Sequence, residues 1–198
     1  MNSNIPTKAN LMAVIKSLKL ARTGYELMER KKNIIQLRLS EYEKNIDKLR
    51  AQANNIFDSA YTALRNANIT LGIRTAEVKS VPIDNGIALR EKGQLGIEFV
   101  NIEYTPQERG IYYGLENTGM YLDDAYLLFN AAKEAALKVA EAEANLSRLS
   151  NALDKTQKRS NALKNIVIPR LEKQAAAITA ALEEKEREEF SRLKSIKK

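Results

Sequence analysis

The sequence predicts an all-α dominated fold, a long antiparallel two-helix coiled coil that carries a small β-hairpin-containing insert. Three observations lead to this prediction. Ala, Leu, Lys and Glu dominate a chain of 198 residues that has no Trp and only 6% aromatic residues, which is the composition of long helices. Apolar residues recur at heptad spacing in both halves of the chain. Seven of the eight glycines lie between Gly72 and Gly119, so only the middle of the chain opposes a long helix.

The first predicted element is an N-terminal coiled-coil helix over residues 7–71. Heptads counted from Leu11 place apolar residues at the a and d positions for eight heptads, and Lys32 alone breaks this seam. A seam of that length indicates a coiled coil. Gly24 is the only Gly or Pro between Thr7 and Leu71, which predicts a helix of about 60 residues, roughly 90 Å long.

The third predicted element is a C-terminal coiled-coil helix over residues 120–198. Its seam is apolar except at Thr156 and Ser160. The members of this seam are Leu128, Ala132, Ala135, Val139, Ala142, Leu146, Leu149, Leu153, Leu163 and Val167, continued by Leu171, Ala175, Ile178 and Leu182. Leu171 lies eight residues after Leu163, where a heptad repeat requires seven, so the seam changes phase. Pro169 falls at this place and predicts a kink near residue 169.

The second predicted element is a small Gly/Pro-rich insert over residues 72–119. β-branched and aromatic residues in "EVKSVPI" and "LGIEFVNIEY" predict short strands, with a hairpin turn at "DNG" or "EKGQLG". An antiparallel pairing that sets Ala60 near Ala125 would set Leu11 near residue 176. Roughly twenty C-terminal residues, about 30 Å of helix, would then form a projecting tip.

The residue types present limit the kinds of catalysis that the chain could perform. The chain has no Cys and no His, which excludes thiolate nucleophiles, imidazole acid–base catalysis and the usual zinc sites. The segment Gly114–Tyr121 has the glycine spacing of a phosphate loop but lacks its Lys and Ser/Thr. We therefore expect no catalytic, cofactor-binding or metal-binding residues, and a non-catalytic role. No window has the length and apolarity of a membrane span or a secretory signal, so an intracellular location is expected.

Two blocks of sequence resemble a known family. Near the N-terminus, Pro6, Thr7 and Lys8 precede a leucine-rich "KLARTGYELM" stretch. Near the C-terminus, "KRSNALKNIVIPRLE" leads into "LEEKEREEFSRLK". Their joint occurrence in this order is similar to the central-stalk D subunit of V-type and A-type rotary ATPases.

The resemblance implies a rotor axle that transmits torque between a nucleotide-hydrolysing or nucleotide-synthesising ring and a membrane ring that moves protons or sodium ions. The implied partners are catalytic and regulatory nucleotide-binding subunits, a small central-stalk subunit and a socket-like subunit at the membrane end. Contact with the membrane would be indirect, on its cytoplasmic side. Pro169 would shape the shaft, and a tip bearing is expected from Leu182, Arg187, Phe190, Arg192, Leu193, Lys194 and Ile196.

The net charge of +7 leaves one alternative open. A basic antiparallel coiled-coil arm could bind RNA or unfolded clients. Basic residues are spread among acidic ones along both halves, and the basic stretches lack aromatic residues on which bases could stack, which disfavours nucleic acid as a partner.

Overall fold

The computed structural model describes residues 6–71, 84–106 and 119–196. Helix α1 spans Lys8–Leu71, strands β1 and β2 span Ile87–Gln94 and Ile97–Tyr104, and helix α2 spans Met120–Ala162. A π-helical segment, Leu163–Val167, joins α2 to helix α3, Ile168–Ile196. The predicted fold class, long helices with one antiparallel hairpin, is confirmed. The segment 114–118 of the glycine motif lies outside the described residues.

The chain divides into two compact units. The first comprises residues 1–36 and 153–198, and the second comprises residues 37–152. Helices α1 and α2 each supply residues to both units, so the boundary falls within continuous helix rather than in a linker.

In the first unit, α1 runs antiparallel to α3. Lys8 forms an ion pair with Glu186 at 3.1 Å, and Arg22 forms one with Glu172 at 2.6 Å, so partner numbers fall as α1 numbers rise. Glu186 and Glu172 lie several residues further along the chain than a pairing of Leu11 near residue 176 requires, whereas Ser160, the partner of Glu29, lies close to that register. These contacts do not define one common shift, so the predicted register stays a prediction. A seam that repeats every seven residues looks the same after a shift of seven, so seam positions alone do not fix the register.

The seam itself is as predicted in α1. None of its sixteen a and d residues is exposed, and Val14, Ala21 and Ile35 are buried within the first unit. On the opposing helix of this unit, Ile178 is buried to 4% exposure. Removing such side chains from water stabilises the pair by about 1.5–3 kcal/mol for each fully buried Ile or Leu.

In the second unit, α1 runs antiparallel to α2 and their core is built largely from alanine. Ala60 and Ala132 are fully buried, and Leu149 is the largest completely buried side chain on α2. Arg50 pairs with Glu143 at 2.7 Å, and the ring of Tyr61 meets Phe129 edge-on at 5.5 Å. Small seam residues allow the two backbones to approach closely, which the alanine-rich sequence predicts.

The hairpin turns at Leu95 and Gly96, both of which have positive φ, 57° and 71°. Gln94 pairs with Ile97 across this two-residue loop, which is the arrangement of a type I′ turn. The turn therefore lies in "EKGQLG". At the base of the hairpin, a Cβ on Gly86 would lie 2.1 Å from the carbonyl oxygen of Thr105, so only glycine fits at that position.

Candidate functional site

A polar layer interrupts the apolar seam of the first unit. The Ser160 hydroxyl donates a hydrogen bond of 2.6 Å to Glu29, and Lys32 forms an ion pair of 2.6 Å with the other oxygen of the same carboxylate. Ser160 is fully buried and Thr156 is 5% exposed. The three residues that break the predicted seams, Lys32, Thr156 and Ser160, thus all lie in this unit, and Glu29 joins two of them. Polar residues at seam positions specify register at some cost in stability.

Glu29 is held in its charged form. Hydrogen bonds from Lys32 and from Ser160 lower the pKa of the Glu29 carboxyl, and Lys164 lowers it further through its charge, while burial acts in the opposite direction. Lys164 belongs to the π-helical segment, so the positive charge of that segment acts on the Glu29 carboxyl.

The π-helical segment accounts for the change of seam phase. The Ile168 N–H bonds to the Leu163 carbonyl oxygen, five residues back. A π turn accommodates one more residue than an α turn. The extra residue between Leu163 and Leu171 is therefore absorbed locally, and the seam faces α1 again after it. Pro169, which has no N–H to donate, lies two residues after the end of the segment.

The predicted seam is wrong at Val167, because the π turn changes which residue faces α1. Val167 is 36% exposed, whereas Ile168 is half-buried and takes its place. Ile166 beside it is 65% exposed. A defined backbone irregularity spans residues 163–167, and Ile168 separates it from Pro169. A bend angle at Pro169 stays a prediction.

The residues expected in a tip bearing lie along the last turns of α3. Leu182 is half-buried, and nearly all of the bearing residues after it are strongly exposed to solvent. Phe190, Leu193 and Ile196 are 71%, 62% and 80% exposed. Three of the exposed tip residues are charged, namely Arg187, Arg192 and Lys194.

Ion pairs support this end of the helix. Arg192 lies 4.0 Å from Glu188, four residues earlier, and Arg187 lies 3.8 Å from Glu184, three residues earlier. Such exposed pairs contribute about 0.2–0.5 kcal/mol each.

Side chains of α2 cover the outer edge of β2. The Asn145 amide accepts from the Val100 N–H at 2.8 Å and donates to the Val100 carbonyl at 2.9 Å. Glu141 accepts from the Ile102 N–H at 3.1 Å, and Arg148 donates to the Glu98 carbonyl at 2.7 Å. These three α2 residues share one helix face, and they bind every second residue of β2. They thus bind the backbone groups that a neighbouring strand would otherwise bind.

A second contact holds the base of the hairpin. Asp84 pairs with Lys133 of α2 and accepts a hydrogen bond of 2.7 Å from the Tyr104 hydroxyl. The Lys133 and Tyr104 hydrogen bonds, with a backbone N–H from Gly86, lower the pKa of Asp84 to about 2. Burial acts to lower the pKa of Lys133, but its hydrogen bonds to Asp84 and Tyr104 raise it overall.

The two units differ in charge. Residues 1–36 and 153–198 carry 19 basic and 9 acidic residues, whereas residues 37–152 carry 13 and 16. The even mixture of charges along the chain thus gives way to an uneven one once residues are grouped by their proximity in the fold. Within the described residues, no group of three or more carboxylates could hold a metal ion, and no helix has the length and apolarity to cross a membrane.

Comparison with known proteins supplies the decisive observation. The model of the family of ATP synthase D subunits matches residues 10–198. The chain belongs to the ATP synthase D-subunit family. It is similar to the V-type ATP synthase D subunit of Thermotoga neapolitana, at 37% identity over 97% of this chain and 96% of the relative. It is also similar to the A-type ATP synthase D subunits of Methanopyrus kandleri and Pyrococcus furiosus, each at 32% identity over 97% of this chain and 84% and 92% of theirs.

Family membership gives the chain its role as a central-stalk subunit of the V/A-type rotary ATPase. The alternative of an RNA-binding or client-binding arm is not favoured. The roles expected for Pro169 and the tip residues stay predictions, and the sequence patterns did not single out Glu29 or Asn145. Asn145 carried a usable signal, since it is a polar residue beside the apolar seam position Leu146.

Proposed function

We propose that this chain is the rotating axle of its ATPase and carries torque between the nucleotide-binding ring and the membrane ion-translocating ring. The single observation that carries the proposal is the family match over residues 10–198. The axle itself contributes no catalytic group, and ATP is hydrolysed or made by its partners.

The paired helices suit this role. In the first unit, antiparallel helices with a buried seam resist bending and twisting more than one helix alone, and the Glu29 polar layer opposes sliding of one helix along the other. A torque applied at one end of the pair can then be delivered at the other instead of being lost as slippage.

The partners follow from the proposed role. The nucleotide-binding subunits would surround the first unit, with the tip of α3 seated in their bearing through Phe190, Leu193 and Ile196. The hairpin, held on α2 by Asn145, would face the small central-stalk subunit and the socket-like subunit. The whole assembly would lie on the cytoplasmic side of the membrane, and protons or sodium ions would pass through other subunits.

Unequal contact around the ring is what couples rotation to chemistry. A shaft that is symmetric about its axis would present the same surface to each catalytic site, whereas differential contact can hold each site in a different state. The π-helical segment and Pro169 break the regularity of the shaft surface, and we assign them this shaping role.

The test uses the complex as it exists in cells. A tag on this chain should recover nucleotide-binding subunits with ATPase activity in mild detergent, and reconstituted vesicles should acidify or take up sodium when ATP is added. Recovery of RNA or assorted unfolded proteins without those subunits would contradict the proposal.

A further inference from the structure

The sequence contains a single Asn-Gly dipeptide, and it lies at the base of the hairpin. Asn85 is exposed, and it stands with Gly86 immediately before β1. In the part of the chain that the structure describes, no hydrogen bond involves the Asn85 side chain. Asparagine is a thermolabile residue, and an exposed asparagine that precedes glycine is the kind most prone to react with its own backbone.

The reaction is deamidation through a cyclic imide. The backbone nitrogen of Gly86 loses its proton and attacks the Cγ carbon of Asn85, so that a C–N bond forms and the side-chain amide leaves as ammonia. Water then adds to one of the two imide carbonyls and reopens the ring, which gives either aspartate or isoaspartate. Glycine favours the first step because it has no Cβ to obstruct ring closure.

The glycine cannot be replaced without disturbing the hairpin. A Cβ on Gly86 would lie 2.1 Å from the Thr105 carbonyl oxygen. The Gly86 carbonyl accepts a hydrogen bond of 2.9 Å from the Thr105 N–H, so the two backbones are in contact where the hairpin closes. Position 86 therefore requires the residue type that makes the preceding asparagine most reactive.

Contacts of Asp84 oppose the reaction while the base of the hairpin is closed. The attacking nitrogen, that of Gly86, donates a hydrogen bond of 2.9 Å to the Asp84 Oδ1 atom. The Oδ2 atom of the same carboxylate is held by Lys133 of α2 and accepts a hydrogen bond of 2.7 Å from the Tyr104 hydroxyl. The nitrogen must leave Asp84 before it can reach the Asn85 side chain. The reaction therefore proceeds from a locally opened state.

We propose that Asn85 is a site of spontaneous deamidation, that contacts of Asp84 restrain the reaction, and that the product loosens the base of the hairpin. We call these contacts, with Gly86, Tyr104 and Lys133, the Asp84 clasp. Opening of the clasp sets the rate of deamidation, and deamidation in turn makes opening easier. The proposal does not depend on the partners of the chain.

The products differ from asparagine in charge and, in one case, in chain length. Both products place a second carboxylate beside that of Asp84, and the two negative charges repel each other. Isoaspartate also carries the main chain through its side-chain carbon, which adds one main-chain atom before Gly86. That atom displaces Gly86 from Thr105, where the backbones are already in contact. We therefore expect the hydrogen bond between these two residues to weaken.

The experiment ages the full-length chain in mildly alkaline buffer and follows each asparagine by peptide mass spectrometry. Lys133→Met weakens the Asp84 clasp without changing the sequence around Asn85, and Tyr104→Phe removes only one hydroxyl from it. Lys155→Met, at an exposed lysine of the same helix, is the matched control. Asn85→Gln identifies the reacting residue, and a peptide of sequence IDNGIAL gives the unrestrained rate. Circular dichroism shows whether each variant folds like the wild type.

The expected result is a reaction at Asn85 that is slow in the closed structure. Its rate in the wild-type chain should be at least tenfold below that of the peptide, because only the opened state reacts. Lys133→Met should raise the rate roughly fivefold, which corresponds to about 1 kcal/mol. Tyr104→Phe should raise it less, and Lys155→Met should match the wild type. Asn101, which precedes a β-branched residue, should not react measurably.

Hydrogen exchange of the aged chain tests the effect of the product. In the isoaspartate fraction, separated by chromatography, the Thr105 N–H should exchange at least tenfold faster than in the fresh chain. The Val100 N–H, which Asn145 holds, should keep its rate and serves as the internal reference. Asn85→Asp supplies the charge without the extra main-chain atom, so its effect on Thr105 should be smaller.

Two results on the rates would overturn the proposal. One is a wild-type rate at Asn85 equal to that of the peptide, and the other is equal rates in folded Lys133→Met and Lys155→Met chains. If Lys133→Met does not fold, Tyr104→Phe carries the same comparison. Deamidation at Asn101 as fast as at Asn85 would also contradict the proposal, as would an isoaspartate fraction in which exchange at Thr105 is unchanged.

Discussion

One buried amide makes two of the hydrogen bonds that attach the hairpin to α2, and Asn145→Ala tests its contribution directly. Asn145 is 4% exposed and makes two hydrogen bonds to the Val100 backbone, at 2.8 and 2.9 Å. The substitution removes the side-chain amide and leaves the Val100 N–H and the Val100 carbonyl without that hydrogen-bond partner. A buried polar group without a partner costs about 1–3 kcal/mol, so with some access of water we expect a loss of about 2–4 kcal/mol from the docked state.

Asn151→Ala is the matched control for this prediction. Asn151 lies on the same helix and is exposed, so both variants gain the higher helix propensity of alanine and differ in the lost bonds. Urea denaturation should show a lower midpoint for Asn145→Ala, and amide hydrogen exchange at Val100 should become at least tenfold faster. If Asn145→Ala matched Asn151→Ala in both measurements, the amide would not hold the hairpin and the reasoning would be refuted.

Three further predictions concern the seam, one glycine and acid stability. Deleting Asn165 should restore seven-residue spacing between Leu163 and Leu171; circular dichroism should then show unchanged helix content and an unfolding midpoint at or above that of the wild type. Gly24→Ala should raise the free energy of unfolding by about 1 kcal/mol in denaturant titrations, because alanine favours helix and the new Cβ would lie 4.0 Å from Leu163, an ordinary contact. The folded-state pKa of Asp84, about 2, lies below its usual 3.8, so its contribution to stability is present above pH 4 and is lost as the pH falls toward 2. Thermal melts from pH 5 to pH 2 should therefore fall more steeply for the wild type than for Asp84→Asn.

Each of these predictions has a contrary result. A large loss of helix on deletion of Asn165 would show that the π turn serves another purpose than absorbing the extra residue. A destabilised Gly24→Ala variant would mean that α1 and the π segment need closer contact than the structure has. Parallel melting curves for the wild type and Asp84→Asn would show that the aspartate has no special partners in solution.

Sequence periodicity predicted what depends on local spacing. Every a and d residue of α1 is buried or half-buried, since apolar residues at heptad spacing must share one face of a helix. The phase change before Leu171 was also readable, because it is a count of residues. The way in which the helix accommodates the extra residue could not be predicted, since an eight-residue step can be absorbed by a kink, by supercoil unwinding or by a π turn.

Other features depend on which residues meet in three dimensions. A heptad seam is compatible with several registers, and the one adopted joins Glu29 to Ser160, 131 positions apart in the chain. Asn145 reaches the hairpin across 45 positions. The concentration of basic charge in the first unit appears only when the two ends of the chain are grouped together. No local pattern encodes these pairings.

The most direct test of the central claim is to watch the chain turn. The sequence has no Cys, so Leu89→Cys, at a position that is 69% exposed on β1, gives a single attachment point for a bead. With the nucleotide-binding ring fixed to a surface, the account predicts that the bead rotates in one direction when ATP is added and stops when ATP is removed. A bead that stays still while the same complexes hydrolyse ATP would contradict it.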